Sequence, residues 1–346
     1  MKLIKTVDAV GHVLCHDMTQ IIPGKFKGPA FRKGHVITEE DIPVLLSIGK
    51  ENLYVWEMDE NMLHEDEAAG ILRDLALNAH MSASEPKEGK IELRAECDGL
   101  FKVDSQTLRL INSTPQMMIA TRHGNRPVRK GDKLAGTRII PLVIGKDKME
   151  DLRTRTLEAT GGQPVLKLMP YVHKKVGIVT TGSEVYKGRI KDSFTPILEK
   201  KLAEYDTEVI GHETTDDDDK MTTAAIRKLA KAGADIVLCT GGMSVDPDDR
   251  TPLAIKNTGA DIVTYGAPVL PGAMFLLSYL KMDNRNLVVC GLPGCVMYAK
   301  RTIFDLLLPR ILADDTITKE EIADLGEGGL CLGCETCVWP DCGFGV

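Results

Sequence analysis

The chain has 346 residues, a formal net charge of −7 and 43% hydrophobic residues. This length allows two or three domains with full cores, and the acidic balance argues against a broad nucleic-acid-binding role. No apolar run approaches the roughly 20 residues that cross a bilayer. Residues 1–13 lack the apolar centre of a secretory signal, and a large acidic chain rarely builds its nine cysteines into disulfides. The expectation is a cytoplasmic protein with reduced thiols and neither a nucleic-acid nor a membrane partner.

Residues 1–170 read as a β-rich α+β accessory region with room for two subdomains. Thr38 with Asp41 three residues on makes a capping-box-like start for a helix over 41–47 that stops at Gly49. Residues 52–56 read as a strand. Ala68, Ala69, Ile71, Leu72, Leu75 and Ala76 recur at helical spacing over 65–77. Residues 82–90 read as a loop and 91–145 as strands, with a turn at 129–132 and a strand over 137–144. His12, His16 and His35 are expected to be surface or locally bonded groups. The basic segment 121–133 reads first as a solvated loop and second as a surface for an anionic ligand. A boundary is expected at 161–164 or at Pro170.

From Val176 the pattern alternates. Val176, Ile178 and Val179 form a charge-free strand broken by Thr180, Thr181, Gly182 and Ser183. Thr195 and Pro196 fit the N-cap and first position of a helix to about Tyr205, followed by a strand over 207–211. Asp216, Asp217, Asp218 and Asp219 precede a helix with Met221, Ala225, Leu229 and Ala232 on one stripe, ended by Gly233. A second buried strand, 234–239, breaks at Thr240, Gly241 and Gly242. A helix from Thr251, strands over 261–265 and 287–290, the run Gly291-Leu292-Pro293-Gly294 and a long helix ending near Leu312 complete the unit. This order predicts a three-layer α/β domain with a mostly parallel sheet over 171–313.

In such a sheet, ligands sit at the carboxyl ends of the strands. Gly182, Gly241 and Gly242 would let backbone N–H groups approach an anion. Thr180, Thr181, Ser183 and Ser244 can hydrogen-bond it. Glu184, Asp217, Asp246, Asp248 and Asp249 would surround the same rim. They would either hold Mg²⁺ that bridges to an oxyanion or serve as caps and solvated loop residues. No P-loop or G-x-G-x-x-G follows the strands, which makes an unrelated nucleotide-binding protein the weakest reading.

The tail, 325–346, carries Cys331-x2-Cys334-x2-Cys337-x4-Cys342. Four thiolates at these spacings suit an Fe–S cluster or Zn²⁺. Gly326, Gly328, Gly329 and Gly333 predict a flexible approach to a small appended module, with Trp339-Pro340 as a packing lid.

The motifs VGIVTTGSEV, KDS, DDDD, CTGGMSVDPDD and GLPG, in this order, resemble the molybdopterin-binding domain of the molybdenum-cofactor biosynthesis proteins, and most closely the molybdopterin molybdenumtransferases. The resemblance implies a site for molybdopterin or its adenylylated form, with molybdate as co-substrate and a homodimeric assembly. It places Glu184, Asp217 and Asp246 at cofactor and Mg²⁺ as catalytic groups. It sets Asp192, Ser193, Pro293 and Gly294 beside the substrate with the glycines, hydroxyls and aspartates already named. The insertases carry a lysine in a Pro-Gly loop whose counterpart here, 267–274, is APVLPGAM with none. Their Met-Asp-Gly-Tyr-Ala-type motif is absent, and the short tail stands where most have a C-terminal β-domain. A second expectation follows: a non-catalytic carrier or maturation factor for a client molybdoenzyme.

Overall fold

A computed structural model describes residues 2–22, 26–55, 60–283 and 285–346. Trp56, the expected end of one strand, lies outside the described residues. The chain divides into two units. One comprises residues 1–96, 103–122 and 131–167, and the other 97–102, 123–130 and 168–346. Among the described residues no helix is long and apolar enough to cross a membrane.

In the first unit, Lys2–Lys5 pairs antiparallel with Asn52–Val55, and Met18–Ile22 pairs antiparallel with Phe26–Phe31. Ala9, Leu14, Met18, Ile37, Leu45 and Leu53 bury a small core between them. The helix Asp41–Ser47 starts and stops as expected, but Thr38 does not cap it. The Asp41 carboxylate reaches back to accept from the Thr38 amide at 2.8 Å and lies 2.6 Å from His35, one of the locally bonded histidines. A four-stranded sheet follows, built from Met81–Ala83, Lys90–Ala95, Lys133–Ile139 and Met117–Thr121. Helices Glu65–Ala76, Ser105–Asn112 and Lys146–Thr160 accompany it. Ser105–Asn112 lies within the stretch expected as strands, where Asp104 caps a helix by accepting from the Gln106 and Thr107 amides, and Lys146–Thr160 was not anticipated. The expected strand over 137–144 is broken: one strand ends at Ile139 and another, Val143–Gly145, pairs with Met62–His64.

Glu65 opens its helix in a crowded acidic corner. Burial first, then the charges of Asp66 and Glu88, push its carboxyl from 4.5 up to about 7. A helix N-terminus favours an anion by only about 0.3–1 kcal/mol, so desolvation and repulsion win. A carboxyl raised on folding contributes stability that is full below 4.5 and lost as pH rises through about 7. Glu65→Gln is therefore expected to match wild type at pH 5 and exceed it by about 1 kcal/mol at pH 8, a value discounted for partial solvent screening. Urea unfolding at the two pH values checks this; equal differences at both would dismiss it.

The second unit is built on a six-stranded sheet with order β2-β1-β3-β6-β5-β4. The strands are β1 (Lys174–Thr181), β2 (Thr207–Thr215), β3 (Ile236–Thr240), β4 (Asp261–Tyr265), β5 (Leu276–Met282) and β6 (Arg285–Leu292). The β2-β1-β3-β6 pairings are parallel, and β5 pairs antiparallel with both β6 and β4. The helices are α1 (Ser183–Tyr186), α2 (Thr195–Leu202), α3 (Asp219–Lys231), α4 (Thr251–Asn257), α5 (Ile303–Leu312) and α6 (Lys319–Asp324).

Alternation along the strands feeds two cores. Val176, Ile178, Ile236, Leu238, Cys290 and Leu292 bury with α2 and α5. Val179, Val237, Cys239, Leu287 and Val289 bury with α3 and Ile255 of α4. Strands apolar on both faces read as continuous runs, which is why 176–179, 236–239 and 287–290 were legible. Gly177 interrupts β1 because α3 lies close there: a Cβ would stand 2.9 Å from Leu229 Cδ1.

Three boundaries and one strand differ from expectation. Helix α2 has Phe194 at its N-cap rather than Thr195, because Asp192 accepts from the amides of Phe194 and Thr195. Strand β2 runs on to Thr215; as an edge strand it carries polar residues that hide its period. Strand β5 was not anticipated. Helix α5 does not continue from the GLPG turn but starts at Ile303, after a 3₁₀ turn over Gly294–Met297, with a capping box of Thr302 and Asp305.

Two short segments from the N-terminal half belong to this unit. Gly99–Val103 pairs with Arg126–Val128, and Lys102 Nζ lies 2.6 Å from Asp315 Oδ1. The basic segment is therefore not simply a solvated loop. Arg126 is buried and donates to the Cys342 carbonyl at 3.0 Å. The tail is also less separate than expected. Phe344 is 5% exposed and joins the core beside α5, and Gly345 N donates to Gly328 O at 2.8 Å.

Candidate binding site at the strand ends

Thr180 and Thr181 end β1 on opposite faces of the sheet, and each organises a different loop. The Thr180 hydroxyl donates to Asp192 Oδ2 at 3.0 Å, and the Thr195 hydroxyl donates to the same oxygen at 2.5 Å. Asp192 Oδ1 takes the amides of Phe194 and Thr195 at 2.8 and 3.2 Å. Burial alone would raise this carboxyl. The bonds from the Thr195 hydroxyl, the two amides and Thr180 outweigh it and hold the group below the usual carboxylate range. His212 Nε2 lies 3.0 Å from the Thr180 hydroxyl and 3.3 Å from Asp192. With both hydroxyl protons directed at Asp192, an Nε2–H tautomer lets His212 donate to Thr180. Asp192 thus shapes the loop from within the protein. Ser193 beside it is exposed, its hydroxyl 3.9 Å from Met297 Sδ in the turn that follows Pro293 and Gly294.

On the other face, Thr181 joins the two glycine loops. Its hydroxyl donates to the Thr240 carbonyl at 3.1 Å and stands 3.2 Å from the Thr251 hydroxyl, which donates to Gly241 O at 2.9 Å. Thr180 and Thr240 are register partners, so both loops leave neighbouring parallel strands at the same level. Gly241 and Gly242 have φ of +80° and +57°. A Cβ on Gly241 would overlap the Thr181 carbonyl, and this close approach is what requires glycine there.

The four consecutive aspartates have four separate tasks. Asp216 pairs with Lys187 at 3.3 Å. Asp217 accepts from the Ser183 amide at 3.0 Å and so fixes the start of α1. Asp218 caps α3 through the Met221 amide at 2.8 Å. Asp219 takes Asn257 at 3.0 Å and Arg250 at 3.4 Å. This division explains a run longer than capping alone needs.

In the second loop the Ser244 amide donates to Asp249 Oδ2 at 2.8 Å, and the Asp249 amide to Asp246 O at 2.9 Å. Ser244, Asp246 and Asp248 are exposed, as is Glu184 across the site. Tyr265 donates to the carbonyls of Met243 and Ser244 at 3.1 and 3.3 Å, and burial, then the charge of Asp249, raise its phenol. The Thr240 hydroxyl is buried with no hydrogen-bond partner among the described residues. Sequence reasoning passed over Thr195, His212, Thr251 and Tyr265 as site residues, each of which has a partner 15 or more residues away. It passed over Thr240 as a side chain too.

Among the described residues, no three His, Cys, Asp or Glu side chains converge as ligands of one ion. Asp217 is held by the Ser183 amide, whereas Glu184 and Asp246 reach solvent. These are hard oxygen donors, and Mg²⁺ is commonly held by one or two carboxylates together with substrate phosphate, so the residues present fit that ion.

Residues 177–313 match the model of a family described as a probable molybdopterin binding domain. Residues 3–57 match a domain of unknown function. The molybdopterin molybdenumtransferase of Synechococcus elongatus is 24% identical over 202 residues, which cover 56% of this chain and 46% of that protein. A CinA-like protein of Mycolicibacterium vanbaalenii is 38% identical over 78 residues, 22% of this chain and 18% of its own. The chain thus spans less than half the length of these curated relatives. Among solved structures, the tungsten cofactor synthesizing protein MoaB of Pyrococcus furiosus is 22% identical with a TM-score of 0.35, covering 40% of this chain and 92% of that one.

Proposed function

We propose that this molybdenum-cofactor biosynthesis domain binds molybdopterin, or its adenylylated form, between the 180–184 and 241–249 loops and inserts molybdate in a Mg²⁺-dependent reaction. The observation that carries the reading is the Thr181 junction, which holds two glycine loops together at the ends of adjacent parallel strands. Gly182, Gly241 and Gly242 let backbone approach the phosphate. Ser183, Ser244 and Ser193 offer hydroxyls to phosphate or pterin edge, and Asp248 and Asp249 sit on the pterin side of the rim. One or two of Glu184, Asp217 and Asp246 would hold Mg²⁺ with the substrate's phosphate. The ion would supply charge neutralisation at the oxyanion. Asp217 has a second role, since it orients the Ser183 amide and with it the entry to α1. The assembly proposed is a homodimer.

One observation favours a second reading, a non-catalytic carrier that delivers molybdopterin to a client molybdoenzyme. The 267–274 loop has no lysine, and its Leu270 is occupied on both sides. Its amide donates to Gly329 O and its carbonyl accepts from the Cys331 amide, each at 2.8 Å. Titration with molybdopterin, followed by molybdate and Mg²⁺ and assay of inserted molybdenum, separates the readings. The insertase reading expects turnover that Glu184→Gln reduces about 10²-fold or more while pterin affinity stays within a few-fold. Binding without turnover, indifferent to Mg²⁺, selects the carrier. Absence of pterin binding rejects both.

A further inference from the structure

We infer that the tail binds a 4Fe–4S cluster rather than a single zinc ion, and that the cluster is attached through the backbone to the 267–272 loop of the domain. Cys331, Cys334, Cys337 and Cys342 all line one cavity of about 670 Å³, together with Lys300 and Arg301. A lone zinc ion draws four sulfurs to about 2.3 Å from one point. Among the described residues no three potential ligands converge in that way. Four cysteines spread around a cavity of several hundred cubic ångströms instead match a multi-atom cluster with one thiolate on each iron.

The surroundings fit its charge and its need for shelter. An oxidised cluster of this type with four thiolates is a dianion, and two cations flank the cavity. Lys300 Nζ donates to the Glu335 carbonyl at 2.7 Å, which places an ammonium at the rim of the loop. The Arg301 guanidinium lies 4.6 Å from the centre of the Trp339 ring, a cation–π contact that fixes both groups. Hydrogen bonding and burial around the sulfurs are the protein's means of tuning such a centre.

The loop that bears the cysteines is held at both ends. Leu330 bridges in parallel to Leu270, and the Cys331 amide donates to Leu270 O. At the far end Phe344 is buried in the core and Arg126 donates to Cys342 O. Pro271 O in turn accepts from the Ile303 amide at the start of α5 at 3.3 Å. Ligation of Cys331 therefore acts one residue from Leu270, in the loop that in the insertases carries a lysine.

The test uses the full chain and needs no pterin, so its failure is separable from failure of the binding reading. The purified protein is incubated anaerobically with ferrous iron and sulfide, and iron, sulfide, zinc and visible absorption are measured. The expected result is about four irons and four sulfides per chain with a broad visible band. Cys334 and Cys337 are exposed, so Cys334→Ser and Cys337→Ser leave the core intact, and each is expected to lose most of the iron with an unchanged far-ultraviolet spectrum. Amide exchange at Leu270 and Cys331 is expected to slow about tenfold on loading. One zinc per chain and no colour overturns the inference. So does a chain whose four tail thiols react with iodoacetamide equally before and after reconstitution. Iron uptake without slowed exchange at Leu270 rejects the attachment to the 267–272 loop.

Discussion

Asp305→Ala is expected to destabilise the protein by about 3–5 kcal/mol, because it leaves a buried ammonium without its counter-charge. Asp305 sits in the first turn of α5 with 3% of its side chain exposed, and the Lys201 side chain is 10% exposed. Lys201 Nζ lies 2.8 and 3.0 Å from the two Asp305 oxygens. The carboxylate also takes Arg301 at 3.0 Å and the Thr302 amide at 2.8 Å. The loss is not symmetric. Lys201→Met leaves Asp305 with Arg301 and its capping bonds, and the methionine fills most of the lysine's apolar stem, so about 1–2 kcal/mol is expected. Combining the two changes should recover part of the Asp305→Ala loss, since no unpaired charge is then buried. Guanidinium unfolding of the two single variants and the double variant measures all three. If the singles cost the same and add, the buried pair is not the cause.

Asp192→Ala is expected to cost about 2–3 kcal/mol and, under the proposed function, to weaken pterin binding at least tenfold. Four donors lose their acceptor together, and two of them are hydroxyls of buried threonines at the base of the site. The pH dependence gives a signature that a packing defect would lack. Folding lowers this carboxyl from its ordinary 3.8, so its contribution is full above that value and is lost as pH falls through the lowered one. Wild type should therefore exceed the variant at pH 7, and the gap should narrow progressively below about pH 3.8. A gap that stays constant across that range would refute the charge-assisted account. Asp192→Asn keeps one acceptor oxygen and should fall between the two.

Both residues show what local pattern can and cannot specify. The apolar runs at 176–179, 236–239 and 287–290 announced buried strands, because a strand covered on both faces has no polar alternation to confuse. The glycine turns after them, the DDDD helix start and the Thr251 start were equally local. They announced themselves through backbone restriction and capping chemistry, which act within a few residues. The motif order carried the resemblance for the same reason, since four of the five motifs mark a strand end and its turn and KDS leads into α2.

Tertiary structure alone decided the rest. Nothing in residues 97–102 or 123–130 signals that they join the second unit, since pairing partners are chosen by global burial and not by local propensity. The edge strand β2 hid its length behind polar residues, and the Lys146–Thr160 helix hid behind its many charges. Asp216, Asp217, Asp218 and Asp219 look alike in sequence, and only the positions of Lys187, Ser183, Met221 and Asn257 give them different tasks. His212 became part of the site because β1 and β2 lie in register, placing it opposite Ile178 and within reach of Thr180. The glycine-rich tail read as a loose appendage, yet Phe344 seats it in the core. A single buried aromatic ring, by removing its apolar surface from water, contributes enough to hold such a segment in place.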